Sequence, residues 1–407
     1  MLEFTDDLEL LLRETPAHAI ERERSTFDSL VAPFGGTLVL FGAGDLGRKL
    51  LHGLRQIGIT PLAFSDNNPQ RWNSIESGLP VLSPGEAAAK FGQTAAFIIA
   101  VWHAHQKHRT GDIQRQLTSL GCRKVITVNS LFWSFPDIFL PHCNFAQPHR
   151  VLANAPAIRH VFQQLKDRQS RIDFLGHVRW RLTGDFQAMA DAVEEPQYWP
   201  HDVIKFGSHE HFVDCGAFDG DTIRELLSGR HLGFDRITAF EPGPANFQKL
   251  SGFVGGLPPD IRQRIHLQPR AVGLNSSTLA FNAETSVSSA VAGRGTHVGP
   301  AAKAADQQIT VGCVSLDEVL TETPPTFTKM DIEGSEMDAL RGARKLIQLH
   351  RPVMAVCAYH LPEDLWNIPT FLLSIYGDYR IFFRSYNQEG FDIVCYAVPP
   401  NRLVQSS

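Results

Sequence analysis

The residues best placed for chemistry in this chain lie on a short glycine turn flanked by acids. Residues 212–222 read Phe-Val-Asp-Cys-Gly-Ala-Phe-Asp-Gly-Asp-Thr. The apolar run into Asp214 predicts a strand, and Gly216, Asp219 and Gly220 predict a turn. Thr222 then opens a helix with Ile223, Leu226 and Leu227 on one face. Glycines between a strand and a helix let a ligand press against bare backbone. Acidic side chains in such a turn repel a pyrophosphate, so a dinucleotide fits badly. They suit a ligand with an ammonium group and hydroxyls, such as S-adenosylmethionine.

Three further elements end in polar residues. Residues 236–240, Arg-Ile-Thr-Ala-Phe, form a strand followed at once by Glu241 and Pro242. A carboxylate at that tip can accept hydrogen bonds from both hydroxyls of a ribose. Residues 327–336 carry Lys329, Asp331, Glu333 and Glu336 into a helix expected over 337–347. Residues 352–360 read as another buried strand ending in His360. Strands that alternate with helices build a parallel sheet, and ligands bind at the carboxyl ends of its strands.

Four motifs together resemble the FkbM family of S-adenosylmethionine-dependent methyltransferases. They are residues 213–222, Ala-Phe-Glu-Pro at 239–242, Lys-Met-Asp-Ile-Glu-Gly at 329–334, and Tyr-His-Leu-Pro-Glu-Asp-Leu-Trp-Asn-Ile-Pro at 359–369. The resemblance runs from Tyr198 to about Val398. It implies a seven-stranded class I methyltransferase sheet. The implied cofactor is S-adenosylmethionine, held by Asp214, Gly216, Ala217, Asp219, Gly220, Thr222, Glu241, Pro242 and Asn246. Two departures fall on the acceptor side: Arg384-Ser385-Tyr386 where relatives carry Arg-His-Tyr, and Asp392-Ile393-Val394 where they carry Glu-Thr-Val.

Methyl transfer from a sulfonium is an in-line displacement, and a hydroxyl acceptor needs help losing its proton. Side chains alternate along a strand, so Lys329, Asp331 and Glu333 share a face if the extended conformation persists. That places a Lys–Asp pair beside the acceptor, with His360 within reach from the next strand. Asp331, His360 and Lys329 are therefore the expected catalytic residues. Plainer roles stay open. Asp331 could orient the methionine ammonium or cap a helix beginning near Ser335. Glu336 could be a first-turn acid favoured by the helix dipole. His360 could bond a helix starting at Pro362, and Asp331 with Glu333 could hold a divalent metal, which is not expected.

A chain of 407 residues is ordinary for two domains, and 43% hydrophobic residues can fill two cores. Its sections are a helical lead-in (1–34), a Rossmann-like unit (35–140), a helical connector (141–205) and the methyltransferase unit (206–400). The expected fold is thus α/β, with two doubly wound Rossmann-like sheets. In the first unit, strands over 37–41, 60–64, 95–101 and 124–128 surround a Gly-x-Gly-x-x-Gly turn made by Gly42, Gly44 and Gly47. Asp66 stands where a ribose-binding acid belongs, and His103, His105 and His108 follow the third of these strands. Their spacing is poor for zinc and suits a pocket lining. Asp45 in the turn disfavours tight pyrophosphate binding. This unit resembles the N-terminal domains of bacterial sugar-modifying and polysaccharide-biosynthesis enzymes, so a weakly bound nucleotide sugar, NAD, or no ligand at all remain alternatives.

The connector could form a domain interface or a homodimer interface. Residues 283–304, rich in Ser, Ala and Gly, read as a disordered insert or a lid. A net charge of −5 gives no electrostatic footprint for nucleic acid. Six cysteines without a Cys-x-x-Cys pair read as reduced, buried thiols. The N-terminus has no signal pattern and no apolar run spans a bilayer, so a cytoplasmic enzyme is expected. The expected activity is O-methylation of a hydroxyl on a sugar, glycolipid or related secondary metabolite. One alternative is a glycan or nucleotide-sugar binding module whose methyltransferase unit is inactive, which the intact Asp214, Gly216, Glu241 and Asp331 set argues against. Another is a fusion to an NAD-dependent oxidoreductase, weakened by the lack of a Tyr-x-x-x-Lys pair after Gly47.

Overall fold

The computed structural model describes residues 2–102, 109–189, 191–229, 233–282, 308–387 and 389–404. The segment expected to be an insert or lid, and His103, His105 and His108, lie outside these. The chain opens with helices Leu2–Leu11 and Pro16–Val31. Pro16 starts the second helix at a position where a missing N–H costs nothing, and Thr15 caps it by accepting from His18 N.

The first sheet has strands β1 (Leu38–Phe41), β2 (Ala63–Ser65), β3 (Ile75–Glu76), β4 (Leu79–Leu82), β5 (Ala96–Ile99) and β6 (Val125–Thr127), in the order β3-β4-β2-β1-β5-β6. Only β3 runs antiparallel to its neighbour. β1 and β5 are buried at every position, because helices cover both faces of a parallel sheet. β2 begins later than expected: Pro61 has no N–H for the ladder, and pairing with β1 starts at Ala63.

Helices Pro148–Ala153, Ala155–Gln164 and Arg168–Thr183 follow. The last is capped by Asp167 and ends at Gly184, whose φ of 71° suits glycine. One end of this helix packs on the second sheet, with Phe174 and Phe383 rings 5.6 Å apart. The other end buries Trp180 against Trp102 of the first unit and against Phe145 and Phe186 of the connector. A single helix thus belongs to both cores.

The second unit contains β7 (Glu210–Cys215), β8 (Phe234–Phe240) and β9 (Ile265–Gln268), then β10 (Arg270–Val272), β11 (Ser277–Asn282) and β12 (Gln308–Val314) in a small separate sheet. It ends with β13 (Phe327–Met330), β14 (Val353–Cys357), β15 (Arg380–Ser385) and β16 (Ile393–Val398). The seven-stranded order is β15-β16-β14-β13-β7-β8-β9, with β16 antiparallel to both neighbours. The chain leaves β7 toward β8 on one side and returns to β13 on the other. The crevice between those two strands is the switch point where ligands bind in such sheets.

Two elements differ from expectation here. The helix expected over 337–347 is two helices, Glu336–Arg341 and Arg344–His350. The break falls at Gly342, where a Cβ would stand 2.1 Å from the Gly273 carbonyl oxygen. The strand expected to reach His360 ends at Cys357, so His360 lies on the loop beyond it.

Candidate active site

The glycine turn at the end of β7 is built around close backbone contacts. Gly216 has φ 83°, and its N–H and that of Ala217 both donate to the Phe240 carbonyl at 3.0 Å. A Cβ on Gly216 would lie 1.9 Å from the Asp331 carbonyl oxygen, so no other residue fits. Gly220 has φ 92° and sits against Phe253. Phe218 also takes a left-handed φ, 47°.

Glu241 reaches back from the tip of β8. One of its oxygens accepts from Phe218 N at 3.0 Å and the other from Gly243 N at 2.8 Å. The carboxylate is therefore fixed beside the turn. Burial pushes it up to about 7, with the two amides opposing. Asn246 is buried beside Gly243, and its Oδ1 has no partner. Asp219 is tied to Arg224, and Thr222 N donates to Asp221 Oδ1 at 2.8 Å.

Lys329 is not where the alternation argument put it. It stands opposite Asp214 in the β7–β13 register, so both side chains leave the same face. Its Nζ lies 2.9 Å from Asp214 Oδ1 and donates to the Gly216 carbonyl at 2.6 Å. Lys329 thus clamps the glycine turn, and forms no Lys–Asp pair with Asp331. Burial pushes Asp214 up to about 6 even with Lys329 beside it. Burial also works against the charge on Lys329, but Asp214, Asp331 and Asp221 outweigh it and hold the ammonium protonated. The two shifts pull in opposite senses on the pair, and Lys329 is its firmly charged member. Asp214 Oδ2 has no partner.

Asp331 follows the last residue of β13, with its N–H on the Cys215 carbonyl. Both its oxygens are engaged. Tyr198 Oη donates to Oδ2 at 2.8 Å, while Tyr359 Oη at 3.5 Å and His360 Nε2 at 3.3 Å face Oδ1. Burial would raise this carboxyl, but Lys329, His360 and the Tyr198 hydroxyl outweigh it and hold it below the usual range. His360 turns Nδ1 to Glu336 Oε1 at 2.8 Å. Burial disfavours the imidazolium, yet Glu336, Glu333 and Asp331 raise it well above the ordinary value.

Glu336 is fully buried and also accepts from Ile332 N and Gly334 N at 2.9 and 3.0 Å. It clamps the 332–334 turn from the first turn of helix Glu336–Arg341, where an acid also faces the helix dipole. Asp331 caps no helix. His360 does not bond the following helix either, which begins at Asp364. The ligand atoms of Asp331, Glu336 and His360 come within 4.8 Å of one another. Glu336 is already occupied by two amides and the ring, and the His360 imidazolium supplies the cation these carboxylates face.

Sequence reasoning missed Tyr198, Tyr359 and Asp392 as members of this cluster. Tyr198 has φ 72° and contacts Asp331 from 133 residues away. Its signal was slight: a Tyr-Trp-Pro run just ahead of the sheet.

In the first unit, Gly42 has φ 113°, and a Cβ on Gly47 would meet the Gly42 carbonyl at 2.0 Å. Gly44 is the N-cap of helix Asp45–Gln56 and has open space around it. Asp66 closes onto the turn, accepting from Ala43 N and Asn68 N at 2.8 Å each. Arg71 donates to the Ala43 carbonyl at 2.6 Å, and Asp45 pairs with Arg48.

The loop between β15 and β16 joins the two units. Glu389 accepts from Thr110 N and, at 2.7 Å, from Thr110 Oγ1, where helix Thr110–Ser119 begins. Trp102 Nε1 donates to the Glu389 carbonyl at 3.0 Å, and its ring lies 4.4 Å from that of Phe391. Asp392 ends the same loop and holds Asn387 Nδ2 at 3.0 Å.

This strand order, with a glycine turn and an acid at the tips of its first two strands, is that of the class I methyltransferase fold. Residues 214–389 match the family model of the methyltransferase FkbM domain. The whole chain is similar in fold to the crystal structure of methyltransferase FkbM from Methylobacillus flagellatus KT. The TM-score is 0.75 at 21% identity, covering 97% of this chain and 99% of that one. Smaller methyltransferases align over about half of it. An rRNA methylase from Streptococcus thermophilus has a TM-score of 0.28 and 9% identity, covering 48% of this chain and 89% of that one. Aeropyrum pernix fibrillarin, solved with natively bound S-adenosyl-L-methionine, has a TM-score of 0.26 and 10% identity, covering 47% of this chain and 67% of that one. No curated protein matched the sequence. Among the described residues no helix is long and apolar enough to cross a membrane.

Proposed function

We propose that the protein is a cytoplasmic O-methyltransferase that uses S-adenosylmethionine to methylate a hydroxyl of a sugar, glycolipid or related secondary metabolite. The observation that carries this reading is the pairing at the switch point: a glycine turn with Glu241 on one side and the Asp331 cluster on the other. The residues fit the cofactor. Gly216 leaves the turn bare, and Asp214 and Asn246 hold buried oxygens without partners. Asp214, Gly216, Ala217, Asp219, Gly220, Thr222, Glu241, Pro242 and Asn246 would hold it, and when bound it supplies an electrophilic methyl group.

The chain's own residues do the rest. Lys329 keeps the turn in place through Asp214 and the Gly216 carbonyl. Asp331, held by Tyr198 and His360, presents a fixed negative charge at the acceptor edge. Side-chain oxygens gathered there suit an acceptor that offers hydroxyl donors. Sealing His360 and Glu336 from water keeps these interactions strong.

For the first unit, we infer a weak nucleotide-sugar site at the Gly42–Gly47 turn. Arg48 and Arg71 beside the turn favour an anion, while Asp66 is already occupied by backbone amides and offers less to a ribose. Incubation with methyl-labelled S-adenosylmethionine and a panel of sugars, glycolipids and hydroxylated metabolites tests the main reading. Label on an acceptor oxygen is expected; label on nitrogen or carbon would overturn the acceptor class.

A further inference from the structure

Three carboxylates face His360, and they are not equivalent. Glu336 is sealed and carries two backbone N–H groups and the ring. Asp331 is engaged through both oxygens. Glu333 accepts no hydrogen bond among the described residues, and the nearest cationic nitrogen, His360 Nε2, is 3.8 Å away. Its side chain keeps 21% of its surface open and that of Asp331 25%, against 1% for His360 and 0% for Glu336, so Glu333 differs from Asp331 in its lack of hydrogen bonds rather than in exposure.

The backbone that presents Glu333 is unusual. Its φ is 54°, a left-handed conformation that non-glycine residues seldom adopt outside turns and functional sites. Glu336 grips the amides on either side of it, Ile332 N and Gly334 N, and so holds that conformation. A side chain in strained backbone, without a hydrogen bond and open at one side, is placed to meet something that arrives.

Resting on the methyl-transfer reading of this site, we propose that Glu333 is the general base that takes the acceptor's proton. In the step, the acceptor oxygen forms a bond to the methyl carbon. The carbon–sulfur bond breaks, and its electron pair stays on sulfur, which becomes neutral. The hydroxyl proton passes to a Glu333 oxygen and leaves from there to water through the open side. The charge balances: a sulfonium and a carboxylate become a thioether and a carboxylic acid. Asp331 keeps its charge throughout, because its partners hold it below the range where it would accept a proton.

Burial pushes Glu333 up to about 7; His360 opposes this, and Asp331, Glu336 and Asp392 add to it. These four groups come from the end of β13, the helix after it, the loop after β14 and the loop before β16. A base that titrates near neutrality is well matched to its task.

The test uses the full-length protein and its Glu333→Gln and Glu333→Asp variants. The proton transfer contributes about 10²–10⁴-fold to such reactions, so Glu333→Gln should lose at least a hundredfold in turnover. It should keep S-adenosylhomocysteine affinity within about twofold. The wild-type rate should rise with pH and level off above about 7, a break that Glu333→Gln lacks and Glu333→Asp partly restores. Carboxyl carbon NMR supplies a readout that needs no turnover: Glu333 and Glu241 should both titrate near 7, and of those two signals one should vanish in Glu333→Gln. A Glu333→Gln enzyme within tenfold of wild type with the same break would overturn the assignment. So would a Glu333 signal that titrates at the ordinary carboxyl value. A wild type that binds no S-adenosylhomocysteine would refute the methyltransferase reading itself, and the NMR titration would still decide the state of Glu333.

Discussion

Replacing Lys329 by Met should destabilise the protein in a way that depends on pH. Lys329 and Asp214 form a buried ion pair, 3% and 0% exposed, with Lys329 also bonded to the Gly216 carbonyl. Removing one partner of such a pair costs about 3–5 kcal/mol, because the other charge is left uncompensated. The stranded carboxyl can escape by taking up a proton. That costs about 1.4 kcal/mol for each pH unit above its unfolded value near 3.9. The escape therefore costs about 1.5 kcal/mol at pH 5 and about 5.7 kcal/mol at pH 8. With Lys329 in place, Asp214 already titrates at about 6. A carboxyl raised in the folded state contributes stability that is complete below its unfolded value and is lost as pH rises through the folded one. Without Lys329 that folded value moves higher still, so the penalty grows with pH. Denaturant unfolding should show a loss of about 3–5 kcal/mol at pH 8 and under about 2 kcal/mol at pH 5. Adding Asp214→Asn should recover at least about 1.5 kcal/mol at pH 8. A cost that is equal at both pH values, with no recovery in the double variant, would refute the reasoning.

Asp331→Asn should leave the fold intact by circular dichroism and reduce methyl transfer by at least about a hundredfold, because the charge facing the acceptor edge is gone; near-normal turnover would make Asp331 structural. Glu389→Ala strands the buried Thr110 N–H and hydroxyl, each worth about 1–3 kcal/mol. Urea unfolding should show a loss of about 2–4 kcal/mol, and no measurable change would contradict the role of this loop in joining the units.

Much of the sheet was legible because strands buried on both faces appear as plain apolar runs, as at β5 and β14. The glycine turn was legible for a related reason: Gly216 and Gly220 hold positive φ, which glycine adopts at little cost. The acceptor side was harder to read. Alternation suggested that Lys329 and Asp331 act together, but β13 ends at Met330, and the pairing across to β7 gave Lys329 to Asp214. That register joins segments far apart in the chain and is set by packing, which no local pattern encodes. The same holds for Tyr198, which meets Asp331 from the connector. The left-handed backbone at Glu333 was hidden because nothing in its residue type announces it, whereas the two grips of Glu336 show why it persists. The split at Gly342 came from a close approach to Gly273 in a strand connection that helix periodicity does not reveal.

The central claim is that the turn from Gly216 to Gly220, with Glu241, holds S-adenosylmethionine. Calorimetric titration of S-adenosylhomocysteine into the wild type and Glu241→Ala tests it most directly. The wild type should bind one equivalent, and the variant should bind at least tenfold more weakly, about 1.4 kcal/mol or more. Equal affinity in the two proteins, or no binding to the wild type, would contradict the claim.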